Sequence, residues 1–346
     1  MSAAQSNLSI QDEISAAILQ ILNQAQSQLN CEIPGELTLD RPKNREHGDY
    51  ATSIALALAK PSGQPPRKIA EIIVAGLSRR ADIAAVEIAG AGFVNITLAT
   101  ASQGGVISNI LAAGKQFGHG NKLNGVAINL EFISANPTGP LHLGHTRWAA
   151  VGDALGRVLA AAGAKVVREF YVNDRGVQMD KFGASLQAVA LAQARPEDGY
   201  HGAYIAELAT EVIAKSPKIM ELSGDEQLSA FRDLGYELQL AQQKEVLDKF
   251  GTHFDVWFSE KSLYENNFFT HCQEVLKSKG HVFEEAGAIW LRTTDFGDDK
   301  DRVMVKSDGS MAYFASDSAY YISKRERGFE ICIYMLGADH HGYTGR

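Results

Sequence analysis

Near the start of the chain, apolar residues recur at helical spacing. Ile10, Ile14, Ile18, Ile21 and Leu22 share one face. A polar segment, ELTLDRPKNREHGDY, separates this helix from a second, TSIALALAK, whose pattern stops before Pro61. After PSGQPPRK a third helix runs through IAEIIVAGL. VEIAGAGFVNITLA then reads as a strand, a Gly-rich turn and a second strand. These elements predict a small α/β unit over residues 1–112. Residues 113–125 are rich in Gly, Asn and Lys and read as a linker.

From Val126 the pattern changes. VAINLEFIS is a strand with a mostly apolar core, ANPTGP is a loop, and a helix runs from His142 to Ala162. That helix stops at Gly163 and AKVVREFYV is the next strand. Strand, helix and strand at this spacing predict a βαβ unit and a parallel sheet. Residues 180–295 are mostly helical and acidic, and read as an insertion between two halves of that sheet. RVMVKSDGSMAYF predicts a hairpin around Asp308-Gly309. SDSAYYISKRERG is a helix ending at Gly328, and EICIYML is a buried strand with GADHHGY at its C-terminal end. The first turn lacks the spacing GxGxxG, which argues against a dinucleotide site.

Composition narrows the class. A net charge of −8 argues against a wholly basic nucleic-acid coat. Cys31, Cys272 and Cys332 lie far apart with no CxxC, so neither a disulfide framework nor a Cys-based zinc site is expected, and a reducing cytosol fits. The N-terminus lacks the basic segment of a signal peptide. No apolar run approaches the roughly 20 residues of a membrane span.

The candidate chemistry begins with PLHLGHTRW. His142 and His145 lie three apart at a helix start and so share one face. Gly144 between them removes a side chain where a flat ligand can approach the backbone. A helix N-terminus offers unpaired N–H groups and a positive dipole end, which suits phosphate. Two imidazoles there can donate hydrogen bonds as charge builds on a phosphoryl group. Metal binding is the competing reading, with Asp339, His340 and His341 at another strand end. It is weaker, because no acid accompanies the pair as in HExxH.

EFISANPTGPLHLGHTRWAAVGDALGRVL resembles the HIGH region of class I aminoacyl-tRNA synthetases. The form SANPTGPLHxGH, with Glu131 five residues before Asn136, resembles arginyl-tRNA synthetases in particular. YVNDRGVQ, YFASDSAYY and GADHHGY resemble later segments of the same family. GDYATSIALALAK and GAGFVNI resemble its N-terminal tRNA-contacting domain, so the resemblance covers nearly the whole chain.

The resemblance implies an α/β fold: a parallel Rossmann-like synthetase sheet with a helical insertion over 126–346, preceded by the small domain. It implies arginine activation with ATP, Mg2+ on the ATP phosphates, and transfer to tRNA(Arg) by a cytoplasmic ligase, here expected to be a monomer. His142 and His145 would be catalytic and bind ATP, with Gly144 under the adenine and Asp339 or His340 near the ribose. Ser134 and Asn136 would hold the amino group of arginine, and Glu131, Tyr313 and Asp317 would face its guanidinium. A guanidinium is planar, always charged and rich in donors, so its site needs carboxylates placed for forked hydrogen bonds.

Two departures stand out. The Lys-rich KMSKS loop of the class I pattern is missing, because KSDGS at 306–310 precedes the GADHH strand. A helical anticodon-reading domain is missing too. A C-terminally truncated chain is therefore expected, one that folds and binds arginine but aminoacylates poorly or not at all. The alternatives are an HxGH-type nucleotidylyltransferase, which needs neither the N-terminal domain nor the acids, and a non-catalytic tRNA-binding module. Acids and bases nearly balance in the N-terminal section, so charge gives the latter no support.

Overall fold

The structure, a computed structural model, describes residues 10–265 and 267–337. It divides into two compact units, Met1–His119 and Gly120–Arg346.

The first unit opens with α1 (Ile10–Gln24) and the short α2 (Gln26–Leu29), followed by β1 (Tyr50–Thr52), α3 (Ile54–Ser62) and α4 (Pro66–Leu77). Its hairpin is β2 (Ile83–Ala89) and β3 (Phe93–Leu98), and α5 (Thr100–Ala113) ends it. The stripe that marks α1 is fully buried at Ile14, Ile18 and Leu22, in one core with Ile69, Ile73 and Leu77 of α4. The antiparallel sheet has the order β1-β3-β2. A short strand therefore lies where the polar segment meets the second helix, and Asp40 within that segment bridges to it. Helix α3 carries Pro61 in its last turn, where the missing N–H costs one bond, and stops at Gly63 in the left-handed region.

The second unit begins with β4 (Ala127–Glu131), α6 (Leu143–Ala161) and β5 (Lys165–Val172). Then come α7 (Val177–Ala190), α8 (Ala203–Lys215), α9 (Gly224–Phe250), β6 (Val256–Ser259), α10 (Lys261–Glu265) and α11 (Phe268–Ser278). The chain continues through β7 (Val282–Glu285), β8 (Ala288–Leu291), β9 (Arg302–Val305), α12 (Tyr313–Glu326) and β10 (Ile331–Tyr334). The sheet order is β10-β4-β5-β6 and every pair is parallel. From β4 the chain first builds outward through β5 and β6 and only later adds β10 on the other side. The order thus reverses beside β4, and ligands gather in the crevice at the C-terminal ends of strands at such a point.

Small residues set the approach of α6 to the sheet. Ala149, Gly152 and Gly156 are its buried face. A Cβ on Gly152 would stand 2.3 Å from the Phe132 ring. Helices α7, α8 and α9 share a core around Phe182, Leu186, Ile205 and Phe231. The segment 180–295 is not helical throughout: at β6 it returns to the parallel sheet, and it also holds the β7–β8 hairpin. The short run Val256-Trp257-Phe258 between two helices carries too little pattern to show this. The turn at Asp308-Gly309 forms, with Gly309 at φ 81°. Its returning limb pairs only at Met311, because α12 already starts at Tyr313. Among the described residues no helix is long and apolar enough to cross a membrane.

Candidate active site

The start of α6 is built from its own two histidines. His142 is the N-cap residue, and its Nδ1 accepts the Gly144 N–H at 3.1 Å. In return the Nδ1 of His145 accepts the His142 N–H at 3.1 Å. Two orphan helix-start donors are thereby satisfied. The rings stack with centroids 3.7 Å apart. An imidazole that accepts at Nδ1 carries its proton at Nε2, so both rings keep an Nε2–H donor. This tautomer opposes metal ligation, which would take the Nε2 lone pair and leave Nδ1–H facing a backbone N–H. Partial burial, and then the neighbouring His142, lower the pKa of His145 below its usual 6.5. A Cβ on Gly144 would crowd the His142 ring at 3.0 Å.

The loop between β4 and α6 is strained at one end and braced at the other. Ile133 and Ser134 both have positive φ, 69° and 46°. For a β-branched residue this is a costly conformation, of a kind that concentrates at functional sites. It aims the Ser134 hydroxyl between two strands: the hydroxyl donates to Glu131 Oε1 at 3.3 Å and accepts the Tyr171 N–H at 3.1 Å. Farther on, the Asn136 side chain donates to Gln178 Oε1 at 2.7 Å. Buried Gln243 of α9 donates to the carbonyls of Asn136 and Gly139 at 3.0 and 2.8 Å. The Tyr204 hydroxyl of α8 donates to the Thr138 carbonyl at 2.8 Å. Three loop carbonyls are thus satisfied by side chains from helices that follow β5.

Carboxylates converge on Tyr171 at the end of β5. Burial, and then the charges of Glu260, Asp317 and Glu131, push its phenol well above the ordinary range. These acids come from three elements: the end of β4, the end of β6, and α12. Burial, then Asp174 and Asp317, also raise the pKa of Glu260, while Arg175 works against them. Buried Asp174 ties the strand ends together by accepting from Ser259 Oγ at 2.5 Å, from the Lys261 N–H at 3.0 Å and from the Tyr236 hydroxyl at 3.2 Å.

Of these acids, Glu131 joins an ionic network in which it, Glu169 and Lys324 are buried and Arg327 closes the solvent side. Glu131 and Glu169 are register partners on β4 and β5. Glu131 Oε2 accepts from Lys324 Nζ at 2.6 Å. Glu169 receives both ends of the Arg327 guanidinium, at 2.6 and 2.9 Å, with the Tyr320 hydroxyl at 2.6 Å and Asn129 Nδ2 at 2.9 Å. Burial opposes ionisation of Glu169, but the Arg327 fork, the Tyr320 hydroxyl and the Arg327 and Lys324 charges outweigh it and hold its pKa below the usual carboxylate range. The Lys324 ammonium lies 3.8 Å from the Tyr334 ring centroid and 4.2 Å from that of Tyr320.

Among the residues read from the sequence, Glu131 ends β4, Ser134 and Asn136 lie on the following loop, and His142, Gly144 and His145 form the start of α6. Asp317 lies on α12 and its charge acts on Tyr171. The Tyr313 side chain, Asp339, His340 and His341 lie outside the described residues. Glu131 does not stand open as a plain guanidinium acceptor, because Lys324 and Ser134 already hold its two oxygens. A carboxylate keeps further lone pairs, so additional donors can join them. Glu260, Gln243 and Lys324 carry no local signal; only their place in the fold reveals them.

A model described as the arginyl tRNA synthetase N terminal domain matches residues 9–98, and one described as the catalytic domain of class I (R) tRNA synthetases matches residues 106–344. The chain is 54% identical over 314 residues to an arginine–tRNA ligase of Renibacterium salmoninarum, covering 91% of this chain and 57% of that protein. It is 48% identical over 349 residues to one of Kineococcus radiotolerans, covering 100% of this chain and 62% of that one. A solved structure titled as a putative arginyl tRNA synthetase from Campylobacter jejuni superposes with a TM-score of 0.63 at 36% identity, over 70% of this chain and 54% of that one. The chain thus spans between 57% and 62% of the length of these two curated relatives.

Proposed function

Because the chain belongs to the arginyl-tRNA synthetase family, we propose that it binds arginine and ATP at the C-terminal ends of β4, β5 and β6 and serves the transfer of arginine to tRNA(Arg). The observation that carries this reading is that carboxylates from three elements, Glu131 at the end of β4, Glu260 directly after β6 and Asp317 on α12, all act on Tyr171 of β5, the strand that lies between β4 and β6. A pocket with several carboxylates and a half-buried floor selects a cation, and a forked donor gains most from acids on separate elements. Tyr313, at the first turn of α12, belongs to the same end of the helix as Asp317.

In this reading the substrate carboxylate attacks the α-phosphorus of ATP in line and pyrophosphate leaves. The arginyl group then passes to the terminal ribose of the tRNA. The chain supplies position and charge rather than covalent chemistry. Ser134 and Asn136 hold the substrate amino group, and the Nε2–H groups of His142 and His145 meet the phosphates as charge develops. Gly144 lets the adenine lie against the backbone, and Asp339 or His340 reaches the ribose. Magnesium enters on the ATP phosphates and offsets their charge. Among the described residues there is no group of three His, Cys, Asp or Glu side chains placed to hold a metal.

A thermal-shift screen of the twenty amino acids, with ATP, magnesium and tRNA present, tests the reading. A ligand at about a hundred times its Kd stabilises the folded state by about 2.7 kcal/mol. Arginine alone is expected to raise the melting temperature. An equal shift with lysine, or none with arginine, overturns the proposal.

A further inference from the structure

We propose that Lys324 and Arg327 are positioning residues that lock α12 in one register on the strand ends, and so fix Asp317 at the height of the substrate guanidinium. The inference rests on the reading of Asp317 as an arginine-selecting acid. Asp317, Tyr320 and Lys324 of α12 and Arg327 at its C-cap succeed one another at spacings of three, four and three residues, and so continue one helical stripe to the end of the helix.

The far end of that stripe is anchored at two points. Lys324 takes Glu131 on β4, and Arg327, with Tyr320, takes Glu169 on β5. The two carboxylates are adjacent because parallel register makes them so. Two cations one helical turn apart therefore meet two acids one strand apart. Apolar contacts tolerate sliding, whereas the buried Lys324–Glu131 pair displaced by a turn leaves uncompensated charges, and the forked geometry of Arg327 on buried Glu169 adds a second directional constraint, so the pairs select a single register. The helix carries that register as a rigid rod: Asp317 lies seven residues from Lys324, about 10 Å along the axis. The acids that face the substrate are thus not independent of the cations beneath them. Glu131 belongs to both layers, since its Oε1 holds Ser134 while its Oε2 holds Lys324.

The test uses this chain with Lys324→Met and Arg327→Lys, each checked by circular dichroism and thermal unfolding. Calorimetry then measures arginine, homoarginine (one methylene longer) and a non-hydrolysable ATP analogue. Lys324→Met is expected to weaken arginine binding at least about tenfold and to compress the preference for arginine over homoarginine, while the analogue stays within about twofold. Arg327→Lys keeps the charge, loses the fork, and is expected to show the same pattern at smaller size. If Lys324→Met does not fold, Arg327→Lys decides. The proposal is overturned if folded variants keep wild-type affinity and preference, or if arginine and nucleotide binding fall together. Loss of arginine binding in Asp317→Ala, with Lys324→Met unaffected, overturns this inference alone. Failure of the unmodified chain to bind arginine while it binds the analogue overturns the functional reading and this inference with it.

Discussion

Glu131 and Glu169 stand side by side as register partners on β4 and β5, both buried, and each is neutralised by a different cation, Lys324 of α12 and Arg327 at its C-cap. Two carboxylates at that separation would repel strongly if left bare. Lys324 and Arg327 make the arrangement tolerable, and the strand ends can then present acidic chemistry without collapsing the sheet. In the lower layer each of the two carboxylates has its own cation, and Asp317 and Glu260 add further carboxylates acting on Tyr171.

Removing one member of the lower layer is costly. Glu169→Ala takes the partner from both Arg327 and the Tyr320 hydroxyl. Arg327 is solvent-accessible and can turn to water, but the buried Tyr320 hydroxyl and Asn129 amide lose their acceptor, so a loss of about 2 kcal/mol is expected. Urea unfolding of wild type and variant measures it. A loss below about 0.5 kcal/mol would contradict a structural role for Glu169.

The α6 start predicts a pH dependence. The pKa of His145 lies below 6.5 in the folded chain, so the unfolded chain binds the proton more readily. Its contribution to stability is full above pH 6.5 and is lost as pH falls from there through the lowered folded value. Protonation at Nδ1 also ends its acceptance of the His142 N–H. His145→Gln keeps a side-chain acceptor at this capping position but cannot titrate. Between pH 7.5 and pH 5 the wild type is expected to lose more stability than His145→Gln, as read by denaturant melts at each pH. Parallel losses would contradict the account.

The inserted helices brace the loop. Gln243→Leu removes two hydrogen bonds to the carbonyls of Asn136 and Gly139. These acceptors are only partly buried and can turn to water, so each lost bond costs about 1 kcal/mol and a total loss of about 2 kcal/mol is expected. Hydrogen exchange of the amides at 141–145 checks where the loss falls. Faster exchange confined to this loop and the α6 start supports the brace. Unchanged exchange there contradicts it.

The loop and helix start were legible in sequence because their chemistry is local. HLGH caps its own helix, and the strand–loop–helix order comes from pattern alone. The βαβ unit was legible for the same reason, whereas the close seat of Gly152 on Phe132 needed the crossing of α6 over β4. What stayed hidden depends on long-range register. Lys324 reaches Glu131 across 193 positions, and Gln243 reaches Asn136 across 107. Neither bears a local sign of its partner; a lysine and a glutamine on helices read as solvated. Strand β6 stayed hidden because four residues between helices show no period. Glu260 shared that fate, as it comes directly after β6.

The central claim is that carboxylates at this strand-end crevice select a guanidinium. Calorimetry of the chain with arginine, lysine and citrulline tests it most directly, alongside Asp317→Ala. Citrulline matches the shape of arginine but lacks its charge and one forked donor pair, and lysine carries charge without the fork. The account predicts arginine binding at least about a hundredfold tighter than either, and a loss of about 2–3 kcal/mol in Asp317→Ala, the size of a charge-assisted hydrogen-bonded contact. Citrulline binding as tightly as arginine, or arginine binding untouched by Asp317→Ala, would contradict it.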